Sequence, residues 1–91
     1  MSKLTEAQKR VLRSVADGKV CMHFDVWGGY WWTEDGMRMR APGNSSELSM
    51  PSPLRVLVDL GLVKREERIR VYSGRHKQEY SITDAAGAYL A

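Results

Sequence analysis

The chain has 91 residues, a net charge of +3, one cysteine and five methionines. That length supports a single domain, residues 1–91, with one hydrophobic core and no need of a metal or disulfide. A lone cysteine, Cys21, excludes an internal disulfide and fits a reducing, cytoplasmic setting, and the absence of a signal-like or bilayer-length apolar run argues against a membrane partner.

Thr5 and Gln8 have the spacing of a capping box, in which a hydroxyl and a side-chain amide each satisfy a backbone N–H at a helix start. Ala7, Val11, Leu12, Val15 and Ala16 then share one helical face, and Gly18 falls just past the end. Lys9, Arg10 and Arg13 lie off that stripe and read as a solvated face.

From Lys19 the period changes to two. Val20, Met22, Phe24 and Val26 alternate with Cys21, His23, Asp25 and Trp27 until Gly28-Gly29 breaks the run. Tyr30-Trp31-Trp32-Thr33 favours a second strand, Asp35-Gly36 is a hairpin-turn pair, and Met37 to Arg40 alternates again. The expectation is a small antiparallel meander with Val20, Met22, Phe24, Val26, Met37 and Met39 on its apolar face. His23, Asp25, Trp27, Arg38 and Arg40 fall on the other. Adjacent strand residues point to opposite faces, so Trp31 and Trp32 cannot both enter one core.

Pro42 to Pro53 is rich in Gly, Asn, Ser and Pro, and Ser45 to Ser49 has room for one helical turn before Pro51. Ser52-Pro53 then supplies an N-cap followed by proline at the first helical position. Leu54, Leu57, Val58 and Leu60 repeat at helical spacing with Arg55 and Asp59 on the other side, and Gly61 ends the helix.

Between Val63 and Ile82 a β-hairpin is expected, with Ile69 and Val71 on one face, Arg68, Arg70 and Tyr72 on the other, and a tip formed by Ser73-Gly74-Arg75-His76-Lys77. Gln78, Tyr80 and Ile82 alternate on the return, and Thr83-Asp84 caps a last helix with Ala85, Ala88, Tyr89 and Leu90. Charge is concentrated here: Lys64, Arg65, Arg68, Arg70, Arg75 and Lys77 face only Glu66 and Glu67, which leaves the rest of the chain slightly acidic.

The succession Leu-Arg-Val-Leu-Val-Asp-Leu-Gly-Leu-Val-Lys-Arg, a hairpin, Tyr80-Ser-Ile-Thr-Asp-Ala and Tyr89-Leu90 resembles small winged-helix DNA-binding proteins of the bacterial MarR and PadR type. The resemblance implies an α+β, winged-helix-like domain, with the meander added between the first helix and the recognition helix. It also implies a transcriptional regulator or phage-type accessory factor whose partner is double-stranded DNA. Under that reading the wing contributes Arg68, Arg70, Arg75, His76 and Lys77, and the helix contributes Ser49, Ser52 and Arg55.

A different class of function stays open. The outward side of the candidate recognition helix is sparse, and Trp27 with Trp31 or Trp32 could form an aromatic patch for a host protein or a second copy in a homodimer. A third reading, single-stranded nucleic acid stacked on these rings beside Arg38 and Arg40, requires exposed rings. Catalysis lacks support: His23 and His76 are the only histidines, and neither phosphate-loop nor zinc spacing occurs. Glu34-Asp35 and Glu66-Glu67 read as solvated charges, and no cofactor or metal is expected.

Overall fold

The computed structural model of the chain describes residues 4–40 and 49–90. Thr5 forms the anticipated capping box: its hydroxyl accepts from the Gln8 N–H at 3.1 Å, and the Gln8 side chain accepts from the Thr5 N–H at 2.9 Å. The first helix, α1, runs Glu6–Ala16 and buries Val11, Leu12 and Val15, the stripe its spacing prescribes.

Three strands follow: β1 (Val20–Asp25), β2 (Gly29–Glu34) and the two-residue β3 (Met37–Arg38). The β2–β3 turn places Asp35 at φ 53° and Gly36 at φ 80°, the paired positive dihedrals that suit a tight hairpin. Helix α2 (Ser52–Asp59), strands β4 (Val63–Tyr72) and β5 (Arg75–Ile82), a 3-10 turn Asp84–Ala86 and the short helix α3 (Gly87–Leu90) complete the order. The fold is α+β, with an antiparallel sheet in the order β3-β2-β1-β5-β4.

That order puts β5 in the interior of the sheet. Its residues Arg75 to Glu79 pair with Asp25 to Cys21 on one side, while β4 pairs along the other and forms the edge. Hence the expected five-residue tip shrinks to Ser73-Gly74, and Arg75, His76 and Lys77 are strand residues braced by the meander. The competing influence was the meander itself, whose first strand offers unpaired backbone groups that β5 satisfies.

Only one sheet face is sealed. Val20, Met22, Trp32 and Tyr80 enter a core with Val11, Leu12 and Val15 of α1, Leu54 and Leu57 of α2, Leu62, Val63 and Ala86. Phe24, Tyr30, Met39 and Ile82 pack partly against it. Two residues expected on the apolar face are outside: Val26 is 60% exposed because the strand ends at Asp25, and Met37 is 74% exposed on the short edge strand β3.

Several local expectations are corrected. Ser52 is the first residue of α2 rather than its cap, since Pro51 takes that position with φ −53° and ψ 137° and offers no side-chain acceptor. Leu60 sits past the last helical residue and is largely exposed. Leu62 is buried instead, because Gly61 at φ 76° turns the chain back, and the Leu62 N–H donates to the Leu57 carbonyl at 3.0 Å. Thr83 does not cap the terminal helix through its side chain; its hydroxyl donates to the Gly61 carbonyl at 2.6 Å. Glu34 is not a free surface charge, because its carboxylate accepts from Arg10 and Ser14 of α1. Of the single turn expected over Ser45 to Ser49, residues 45–48 lie outside the described residues.

Candidate nucleic-acid interface

Cross-strand register decides which cations stand together. Paired residues in an antiparallel ladder share a face. Arg65 pairs with Tyr80, Arg68 with Gln78 and Arg70 with His76, so these basic residues lie on the face that carries the core. Lys77 pairs with Ile69 on one side and His23 on the other, and Arg75 pairs with Tyr72 and Asp25. Arg75 and Lys77 therefore stand on the opposite face. The cluster read from the sequence is divided in two by the sheet.

One bulge refines this division. The register shifts between Arg70 and Tyr72, so Tyr72 changes sides and joins Ile69, Arg75 and Lys77 instead of Arg68 and Arg70. The Tyr72 hydroxyl accepts from the Arg75 guanidinium at 3.0 Å, and that guanidinium also lies 5.7 Å from the Tyr72 ring centroid.

The same guanidinium stands 5.3 Å from the Trp31 ring, and Arg38 approaches that ring at 6.0 Å. His23 stacks on Trp31 with centroids 5.3 Å apart and planes within 12°, while its Nε2 is hydrogen-bonded to Thr33 Oγ1 at 3.0 Å. A row of alternating cations and rings, Arg38, Trp31 with His23, Arg75 and Tyr72, thus crosses the face that carries no core residues. Burial holds the His23 imidazole below its ordinary pKa, and the charges of Arg75 and Lys77 push the same way. The bond to Tyr72 pushes the already high pKa of the Arg75 guanidinium further up. Burial pushes the Cys21 thiol up, which disfavours its thiolate form.

On the core face, the Arg68 guanidinium lies 6.0 Å from the Tyr30 ring, and Phe24 packs between Tyr30 and His76 with centroid separations of 4.6 and 6.2 Å. From Lys64 onward every residue of β4 is exposed. Among the described residues neither Arg70 nor Lys77 enters an ion pair. A long edge strand is protected against pairing with other chains by such charges, and β4 has them along most of its length.

Where the two hairpins end, the Val26 N–H donates to the Gly74 carbonyl at 3.0 Å, tying the β1–β2 turn to the β4–β5 turn. The Trp27 N–H donates to Asp25 Oδ1 at 2.8 Å, and the indole beyond it is 94% exposed.

Two predicted site residues are withdrawn from the surface. Ser49 is buried, so it cannot reach a groove, and Trp32 fills the core, so it cannot join an aromatic interface. Ser52 and Arg55 are exposed as expected, with Arg55 3.9 Å from Asp59. His23 and Arg38 stand on the outer face that the alternation gives them, whereas the places of Tyr30, Tyr72 and Thr33 in the two surfaces follow from the pairing of the strands, which the alternating pattern does not specify. Among the described residues no group of three or more His, Cys, Asp or Glu side chains is placed to hold a metal, and no helix is long and apolar enough to cross a membrane. No family model, no curated protein and no solved structure matches the chain.

Proposed function

We propose that the protein is a winged-helix-type DNA-binding protein, a transcriptional regulator or phage-type accessory factor, that holds duplex DNA through the β4–β5 hairpin and α2. The observation that carries this reading is the distribution of cations on both faces of the β4–β5 hairpin: Arg68 and Arg70 of the exposed edge strand β4 on the core side, and the half-exposed Arg75 and Lys77 of the neighbouring strand β5 on the reverse. A groove walled by phosphates engages both faces of a hairpin inserted between its walls, whereas a flat partner meets one. The major groove is about 12 Å wide and accepts a β-ribbon.

The order α1, β1, β2, β3, α2, β4, β5, with β2 and β3 as an addition before α2 and with β5 between β1 and β4, supports the same reading, as does the resemblance of the C-terminal half. Affinity then comes mainly from phosphates, with Ser52 and Arg55 at the exposed side of α2. Replacing Arg68, Arg70, Arg75 and Lys77 with alanine lowers affinity for mixed-sequence duplex in a mobility-shift assay. Unchanged binding rejects the proposal.

A second reading is favoured by the exposure of Trp27: a module that docks on a host protein or a second copy through its aromatic residues. Under it, Trp27→Ala abolishes capture of the partner or the dimer, and the hairpin substitutions are silent.

A further inference from the structure

We infer that Trp27 is an inserting side chain, a wedge that enters the base stack of the bound duplex while the hairpin cations hold the flanking phosphates. This rests on the duplex-binding reading and adds to it a mode of action, distortion of the DNA at one step.

An indole is among the largest apolar groups a chain can bury, and its exposure at a turn forgoes that burial. Here the exposure is nearly complete, yet the turn is not loose. The Trp27 N–H is fixed to Asp25 Oδ1 at 2.8 Å, and the adjoining Val26 N–H is fixed to the Gly74 carbonyl at 3.0 Å. The ring is therefore carried on a braced support made of two joined turns, with its neighbour Val26 and, at the end of β4, Tyr72 also exposed. Rigid presentation of a single aromatic suits insertion between stacked planes.

The charges around it identify the planes. Asp25, two residues before Trp27, pairs with Arg75, and Lys77 follows at the next outward position, while Arg70 and His76 stand on the other face. The occupant must offer a flat, apolar slot with negative charge on both sides. Stacked base pairs between two phosphate strands meet that description. A lipid surface supplies anions in one plane only, which leaves one face of the hairpin unengaged, and an acidic protein supplies no slot between two anionic walls.

Insertion of an aromatic side chain unstacks a step and unwinds the helix, which a sequence-independent assay can read. The full chain is bound to relaxed plasmid at saturation, as judged by mobility shift; the plasmid is then treated with a type I topoisomerase, and the linking number is measured after the protein is removed. The wild-type protein lowers the linking number, and Trp27→Ala, at matched saturation, leaves it unchanged. Trp27→Phe retains part of the effect. Trp27→Ala also weakens binding on the order of tenfold, the loss expected of one stacked aromatic, without altering the salt dependence that the cations set. Normal unwinding by Trp27→Ala, or duplex binding by the wild type with no unwinding, overturns the insertion while leaving duplex binding in place. Failure of the wild type to bind duplex overturns both, and loss of binding on replacing Arg70 and Lys77 with alanine tests the underlying reading separately. Because Trp27 has almost no contact with the body, its replacement leaves the fold intact, which thermal unfolding verifies.

Discussion

Trp32 Nε1–H donates to the hydroxyl of Tyr80 at 3.1 Å, and both residues are almost wholly buried. The bond spans from β2 to β5 across the intervening β1, so one polar contact ties the meander to the hairpin inside the core. Tyr80→Phe keeps the ring and leaves a buried indole N–H without its acceptor. The expected cost is about 1–3 kcal/mol, a sizeable part of the stability of a domain of this size. Urea unfolding measures it, and a change too small to resolve would mean that water or another group takes over the bond.

The joining of the two turns gives a second expectation. Gly74 has φ 80°, and a Cβ placed there would lie 3.1 Å from Val26 Cγ2. Gly74→Ala thus combines an unfavourable dihedral with a tight approach to the Val26 side chain, next to Trp27. A loss of more than about 1 kcal/mol is expected in urea unfolding, since alanine at positive φ is strained even without the contact. If the inserting role of Trp27 holds, the same substitution also reduces plasmid unwinding.

His23 makes stability depend on pH. Its folded-state pKa lies below the ordinary value, through burial and through Arg75 and Lys77, so the unfolded chain binds the proton more readily. Stability from this residue is present above the unfolded-state pKa near 6.5 and falls as the pH drops through that value. Thermal unfolding temperature should decline between pH 7.5 and 5.5, and His23→Gln should flatten that decline. The groups facing the imidazole are Trp31 and Thr33 of β2 and Arg75 and Lys77 of β5, with Cys21 and Asp25 on its own strand. Equal slopes for the wild type and His23→Gln would assign the effect elsewhere.

How far the sequence disclosed this arrangement follows from the range of the interactions concerned. The α1 capping box, the Asp35-Gly36 turn, the Gly61 stop and the opposition of Trp31 to Trp32 are set within a few residues, and each is found as the pattern implies. What the pattern leaves open is which strand lies beside which. Arg75, His76 and Lys77 read as a solvated tip because their local sequence is polar, yet their backbone pairs with β1, some fifty residues earlier in the chain. The bulge between Arg70 and Tyr72 has the same origin: it moves Tyr72 to the Arg75 side, and nothing in the alternation of Ile69, Arg70 and Val71 marks it. Ser49 and Trp32 are polar or amphipathic residues whose burial depends on tertiary packing, so composition alone could not assign them to the interior.

The proposed duplex binding rests on cations on both faces of the β4–β5 hairpin that neutralise phosphates. Its most direct test is the dependence of duplex affinity on salt, measured for the wild type, for Arg70→Ala on the core face and for Lys77→Ala on the reverse. The account predicts a steep loss of affinity with salt, and a slope of log K against log salt that is shallower by about 0.9 for each substitution, additively in the double variant. A slope that neither substitution changes, or a change confined to one face, would contradict it.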